Sequence, residues 1–167
     1  MIFGIGGTIG TLLGGNLADR LVARAGSGGQ RWYMLLPAIT LALAVPLAAL
    51  AYSVPTAMAA FALLACTIVL THAYSGPAIA MVQGLAGLRS RATSTAVYSF
   101  VNSLIAMGMG PLVVGVASDL FGVEHGAGAL RYAMIVIVML SFGGAALFFW
   151  LGSRSLERGL ESAARDG

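Results

Sequence analysis

The chain has 167 residues, of which 59% are hydrophobic and only 9% charged, and its mean hydropathy is +0.92. Soluble domains carry about 25% charged residues, so this composition excludes a soluble globular domain, a disordered tail and a coiled coil. The net charge of +3 arises from nine basic residues, all Arg, against six acids; in so apolar a chain their positions report topology rather than a nucleic-acid partner.

A spanning helix needs about 20 apolar residues to cross roughly 30 Å of hydrocarbon. Charge-free runs therefore predict an all-α integral membrane protein of five transmembrane helices. The first is residues 1–18, ended by Asp19, Arg20, Arg24 and Arg31. Residues 32–88 then hold no charge at all, far too many for one span. Tyr52-Ser53-Val54-Pro55-Thr56 divides them: it reads as a tight turn with an N-cap and a Pro start for the next helix. Spans of 32–52 and 56–82 result. Arg89 and Arg91 precede a fourth span, 93–118; Asp119, Glu124 and Arg131 precede a fifth, 131–152. The runs are too long and too continuously apolar for the strands of a membrane β-barrel. Residues 1–152 thus form a five-span bundle, and 153–167 a mixed-charge cytoplasmic tail carrying Glu157, Arg158, Glu161 and Arg165.

Five crossings put the ends on opposite faces. One face holds Arg20, Arg24, Arg31, Arg89, Arg91, Arg154, Arg158 and Arg165, and the other only Arg131. The positive-inside rule then places the N-terminus outside and the C-terminus in the cytoplasm of a cell membrane, a bacterial inner membrane by preference. Trp32 and Trp150 fall at span ends, as interfacial anchors do. Met1 begins inside an apolar run without a basic n-region or a small-residue cleavage site, unlike a signal peptide. The chain reads as the back portion of something longer.

Several features inside the spans bear on function. Gly6, Gly10, Gly14 and Ala18 recur at i, i+4, a row that lets a second helix approach closely. Gly4-Ile5-Gly6-Gly7-Thr8-Ile9-Gly10 is no dinucleotide loop, because the last spacing is wrong and no strand precedes it. The third span is polar for its depth, with Thr67, Thr71, His72, Tyr74 and Ser75 before Gly76-Pro77. Pro77 removes a backbone hydrogen bond and should break the helix near Ala73 or Tyr74, as in the interrupted helices of transporter sites. Polar groups at membrane depth avoid lipid, so His72, Tyr74 and Asn102, with Thr71 and Ser75 behind them, are the candidate cavity residues. His72 can serve a solute or a proton; it can equally donate to a nearby carbonyl. In the fourth span Gly108, Gly110 and Pro111 weaken the helix, which suits bending or sliding against neighbours as well as close packing. No catalytic constellation and no cofactor or metal site is expected: Cys66 is the one cysteine, and no acid accompanies His72 and Ser75.

Two stretches carry a resemblance to a known family. Gly14-Gly15-Asn16-Leu17-Ala18-Asp19-Arg20 resembles the Gly-x-Leu-Ala-Asp-Arg loop of the major facilitator superfamily (MFS). The family's following Gly-Arg-Lys is replaced by Leu21-Val22-Ala23-Arg24 and a flexible Gly26-Ser27-Gly28-Gly29 loop, which favours the weaker second copy between spans eight and nine. Asn102-Ser103-Leu104-Ile105-Ala106-Met107-Gly108-Met109-Gly110-Pro111, running on through Gly115 to Ser118-Asp119, is similar to the eleventh span. Its nearest likeness is to the spinster-like and related organic-anion branches, with Ala106 where the family has Gly. Leu130-Arg131-Tyr132-Ala133 resembles the start of the twelfth span.

The resemblance implies spans eight to twelve, most of the C-terminal six-helix half of an MFS fold. Such carriers move small organic solutes by rocking two halves about a central site. It assigns Gly10, Gly14, Gly15, Asp19 and Arg20 to gating at the cytoplasmic face, and Gly108, Gly110 and Pro111 to the moving eleventh span. The expected partners are the lipid bilayer, a small organic solute, and the missing first half of the carrier or a separate membrane subunit in its place. One wall of a site should not transport alone. The alternative is a small membrane scaffold or assembly subunit that moves no solute.

Overall fold

The computed structural model describes residues 2–86, 89–125 and 129–165, with side chains except at 2, 3, 27, 28, 106, 107, 123–125, 129 and 156–165. The side chains of Glu124, His125, Glu157, Arg158, Glu161 and Arg165 thus lie outside the described ones. All elements among the described residues are helical: α1 (Ile2–Ala25), α2 (Trp32–Ser53), α3 (Ala57–His72), α4 (Ser75–Leu85), α5 (Arg91–Ser103), α6 (Gly110–His125) and α7 (Ala129–Arg165). A 3₁₀ segment, Gly26–Arg31, joins α1 to α2, and a π-helical segment, Leu104–Met109, joins α5 to α6.

Among the described residues, three stretches are long and apolar enough to cross a membrane: Gly29–Ser53, Ala57–Leu85 and Leu130–Ser155, with a shorter apolar helix at Gly110–Gly122. The fold is that of an all-α membrane protein. Helix α1 does not stop at the Asp19–Arg20 pair but runs seven residues beyond the expected end at 18. Charged residues at a helix end cost little when they reach water. The expected flexible glycine loop is instead the 3₁₀ segment, entered by Gly26 at φ +64°, the left-handed turn glycine makes cheaply at a helix C-terminus.

The turn after α2 also differs in detail. Val54 is extended (ψ 139°) and its N–H bonds the Leu50 carbonyl at 3.0 Å. Thr56, with φ −93° and ψ 125°, is the N-cap of α3, so Pro55 sits outside the helix rather than starting it. Pro55 still acts there, because a residue before proline avoids the helical region.

Helix α2 is the centre of the bundle and packs on α1, α3, α4 and α7. Pro37, Leu41, Ala44, Ala48 and Ala51 are all buried, at alternating steps of four and three that keep one stripe inward. Alanine dominates this stripe, so neighbouring helices come close. At 22 residues and about 1.5 Å per residue, α2 is about 33 Å long, close to the hydrocarbon thickness. Helix α5 has no buried residue; it packs on α4, α6 packs on α7, and both meet the π segment. The α5–α6 limb therefore stands at the side of the α1–α4 and α7 core.

Candidate functional site

The glycine row of α1 lies directly on α3. A methyl group on Gly6 would approach Ile68 Cγ2 to 3.1 Å; one on Gly10 would strike the Val69 carbonyl, and one on Gly14 the Ala73 carbonyl. Ala18, which continues the row, is fully buried. The backbones touch because the side chains are missing, as the spacing predicts. Gly15 differs: a methyl there meets nothing within 4 Å, although its own backbone lies under Gly76.

This crossing meets the broken span where it breaks. Helix α3 ends at His72 and α4 begins at Ser75, the interruption expected from Pro77, which is fully buried. Proline has no N–H, so the Ala73 carbonyl four residues back loses its helical partner. That carbonyl faces Gly14, where a Cα–H contact is the available substitute. The His72 carbonyl accepts a hydrogen bond from the Ser75 hydroxyl at 2.7 Å and a longer one from Thr11 at 3.5 Å; the two hydroxyls are 3.0 Å apart. Groups freed by the break are thus met by α1 and by the local hydroxyl, as backbone in lipid requires.

The structure divides the candidate cavity residues. His72 and Ser75 belong to the α1 crossing. The His72 ring lies against Gly7, and its Nδ1 is 2.9 Å from the Ile68 carbonyl, to which the Nδ1–H tautomer donates. Thr71 donates to the Thr67 and Ile68 carbonyls at 2.9 and 3.1 Å, satisfying its hydroxyl on its own helix. Tyr74 points the other way and packs on Phe149 of α7, with centroids 6.3 Å apart and planes at 52°. Asn102 is exposed on α5 and, with Val97, Tyr98, Val101 and Ile105, lines an open groove of about 420 Å³. Tyr98 and Asn102 lie one turn apart, so two polar groups face the same space.

Gly108, Gly110 and Gly115 have open space where a Cβ would stand, and the helix is π-wound just before Gly110 and Pro111. Such turns mark weakened, frequently functional helix segments. At the start of α2 the Asp19 carboxylate accepts a hydrogen bond from the Tyr33 hydroxyl at 2.9 Å, tying α1 to α2, while Arg20 is exposed. At the opposite end of α2, Arg131 donates to the Ser53 carbonyl at 2.7 Å, a cation on a helix C-terminus. Sequence reasoning missed Thr11 and Tyr33. Thr11 was findable, being the polar member of the Gly7, Thr11, Gly15 row at i, i+4; the position of Tyr33 depends on the 3₁₀ turn.

Long apolar helices and a proline-broken span define a multi-pass membrane protein. The chain is 32% identical over 159 residues to an MFS-type efflux pump from Mycolicibacterium smegmatis (strain ATCC 700084 / mc(2)155). The alignment takes in 95% of this chain and 36% of that protein, so the chain spans about a third of the relative's length. No family model matches the chain, and no solved structure does.

Proposed function

We propose that this chain is the C-terminal portion, spans eight to twelve, of an MFS secondary transporter that moves a small organic solute by alternating access. The helices supply one wall of the site, and the first half of the carrier supplies the other. Tyr98 and Asn102 on α5 carry the proposal: they are polar and face an open groove on a helix with no buried residue. Polar groups there avoid lipid, so the groove belongs against solute and against helices of the other half. Tyr74 and Asn102 are the solute contacts, with His72, Thr71 and Ser75 in the wall behind them. Gly10, Gly14, Gly15, Asp19 and Arg20 gate the cytoplasmic face, and Gly108, Gly110 and Pro111 give the eleventh span its bend. That the relative is an efflux pump adds export as the direction. The N-terminus lies outside, and residues 153–167 lie in the cytoplasm at a bacterial inner membrane.

A chimera tests this reading. This chain replaces the aligned third of the M. smegmatis pump, and efflux of the pump's own substrate is measured in cells. The chimera is expected to retain efflux, and the chain alone to show none in liposomes. A chimera that inserts but is inert, together with a stable homo-oligomer of the chain alone, would overturn the carrier reading in favour of a membrane scaffold.

A further inference from the structure

A second groove lies on the far side of α2 from the glycine crossing. Leu35, Ile39 and Ala42 of α2 and Ala146, Leu147 and Trp150 of α7 line a volume of about 350 Å³ with no polar surface. From 35 to 42 it follows α2 for about 10 Å. Its outer rim is open to the bilayer: Ile39, Leu147 and Trp150 are 47%, 54% and 39% exposed. At one end of the groove the lining residue Trp150 carries an Arg side chain. The Arg154 guanidinium stacks over Trp150 at 3.7 Å from the ring centroid, and Arg31 lies 6.0 Å from that of Trp32. Both pairs sit at the same end, because α7 packs on the 3₁₀ segment and Met34 Sδ fills the space beside Gly152.

We propose that this groove is a seat for one anionic phospholipid, an acyl chain lying between α2 and α7 and the headgroup phosphate on Arg154. The occupant follows from the chemistry. An apolar trough open along its side takes a flexible hydrocarbon chain, and a guanidinium group beside it takes a phosphodiester. Arg suits phosphate because its planar fork keeps edge donors available while its face stacks on an aromatic ring. Indole rings sit at headgroup depth, which brings the charge and the trough into register with a single lipid. Each basic residue near an anionic surface adds about 1 kcal/mol of attraction. The seat needs only a membrane-embedded chain; it does not rest on the transport reading.

The test uses the chain in nanodiscs with Trp32→Phe, which leaves Trp150 as the sole tryptophan. Its fluorescence is quenched by phosphatidylglycerol or phosphatidylcholine carrying brominated acyl chains, each titrated into unlabelled phosphatidylcholine. Brominated phosphatidylglycerol is expected to reach half-maximal quenching at a mole fraction about fivefold lower, the factor that one basic residue supplies. Adding Arg154→Gln should bring the two curves together. Ala42→Phe, which fills the trough and leaves both Arg in place, should weaken quenching by both lipids. Coincident curves in the parent overturn the proposal, as does a preference that survives Arg154→Gln. So does loss of the preference on adding soluble glycerol phosphate, which would mark a site for free phosphate rather than lipid.

Discussion

At the level of single residues, the α1 crossing separates glycines that look alike in sequence. Gly14 and Gly15 are adjacent, yet a methyl on Gly14 meets the Ala73 carbonyl and a methyl on Gly15 meets nothing. Gly14→Ala must push α1 off α3, and overpacking of this kind costs about 1–3 kcal/mol. Gly15→Ala should be neutral or stabilising by up to about 1 kcal/mol, since Ala is the better helix former. Thermal unfolding of the two variants in the same detergent checks the order; equal melting temperatures would remove Gly14 as the contact point. Thr11→Val deletes one hydroxyl of the Thr11–Ser75 pair without changing shape. Hydrogen bonds between membrane helices average about 0.6 kcal/mol, so its loss should be smaller than that of Gly14→Ala in the same assay.

Among the helices, the broken third span was the most legible feature, because proline acts locally: its missing N–H fixes the break four residues back. What receives the freed carbonyls was not legible, since Thr11 is 61 residues from His72 in sequence. The charge-free runs located the spans, but not their ends. Helix α1 carries Asp19 and Arg20 inside its last turns, and α5, placed in a span by its lack of charge, is rich in Ser, Thr, Tyr and Asn. Among the cavity candidates, only His72 and Ser75 meet at one crossing, because polarity at depth says that a residue avoids lipid and not which neighbour it chooses. Pro77→Ala tests what the break is for. The new amide can bond the Ala73 carbonyl and join α3 to α4. Hydrogen exchange should then show a protected amide at 77 and slower exchange at its neighbours. In the whole carrier, transport should slow while solute binding persists. Unchanged turnover with a straightened helix would show that the break is a packing feature without a part in transport.

For the molecule as a whole, α2 sets the scale, about 33 Å between two differently charged ends. Arg31 and Arg154 mark one, Arg154 stacked on Trp150; at the other the Arg131 guanidinium is tied to the Ser53 carbonyl. An Arg bound to a helix terminus satisfies that carbonyl and shields its own charge, so Arg131 weakens the outward exception to the positive-inside pattern. The proposed orientation therefore rests on the unbalanced end, where Arg20, Arg24, Arg89 and Arg91 join Arg31 and Arg154. Two single cysteines test it in a Cys66→Ser background, with a membrane-impermeant maleimide. Ser90→Cys, exposed between Arg89 and Arg91, should react in inside-out vesicles and not in intact spheroplasts. Gly122→Cys, exposed on α6, should do the reverse. The opposite pattern would invert the chain. Both cysteines reacting from one side would mean that the α5–α6 limb does not cross, and the groove at Tyr98 and Asn102 would then lie at the surface instead of within the proposed transport path.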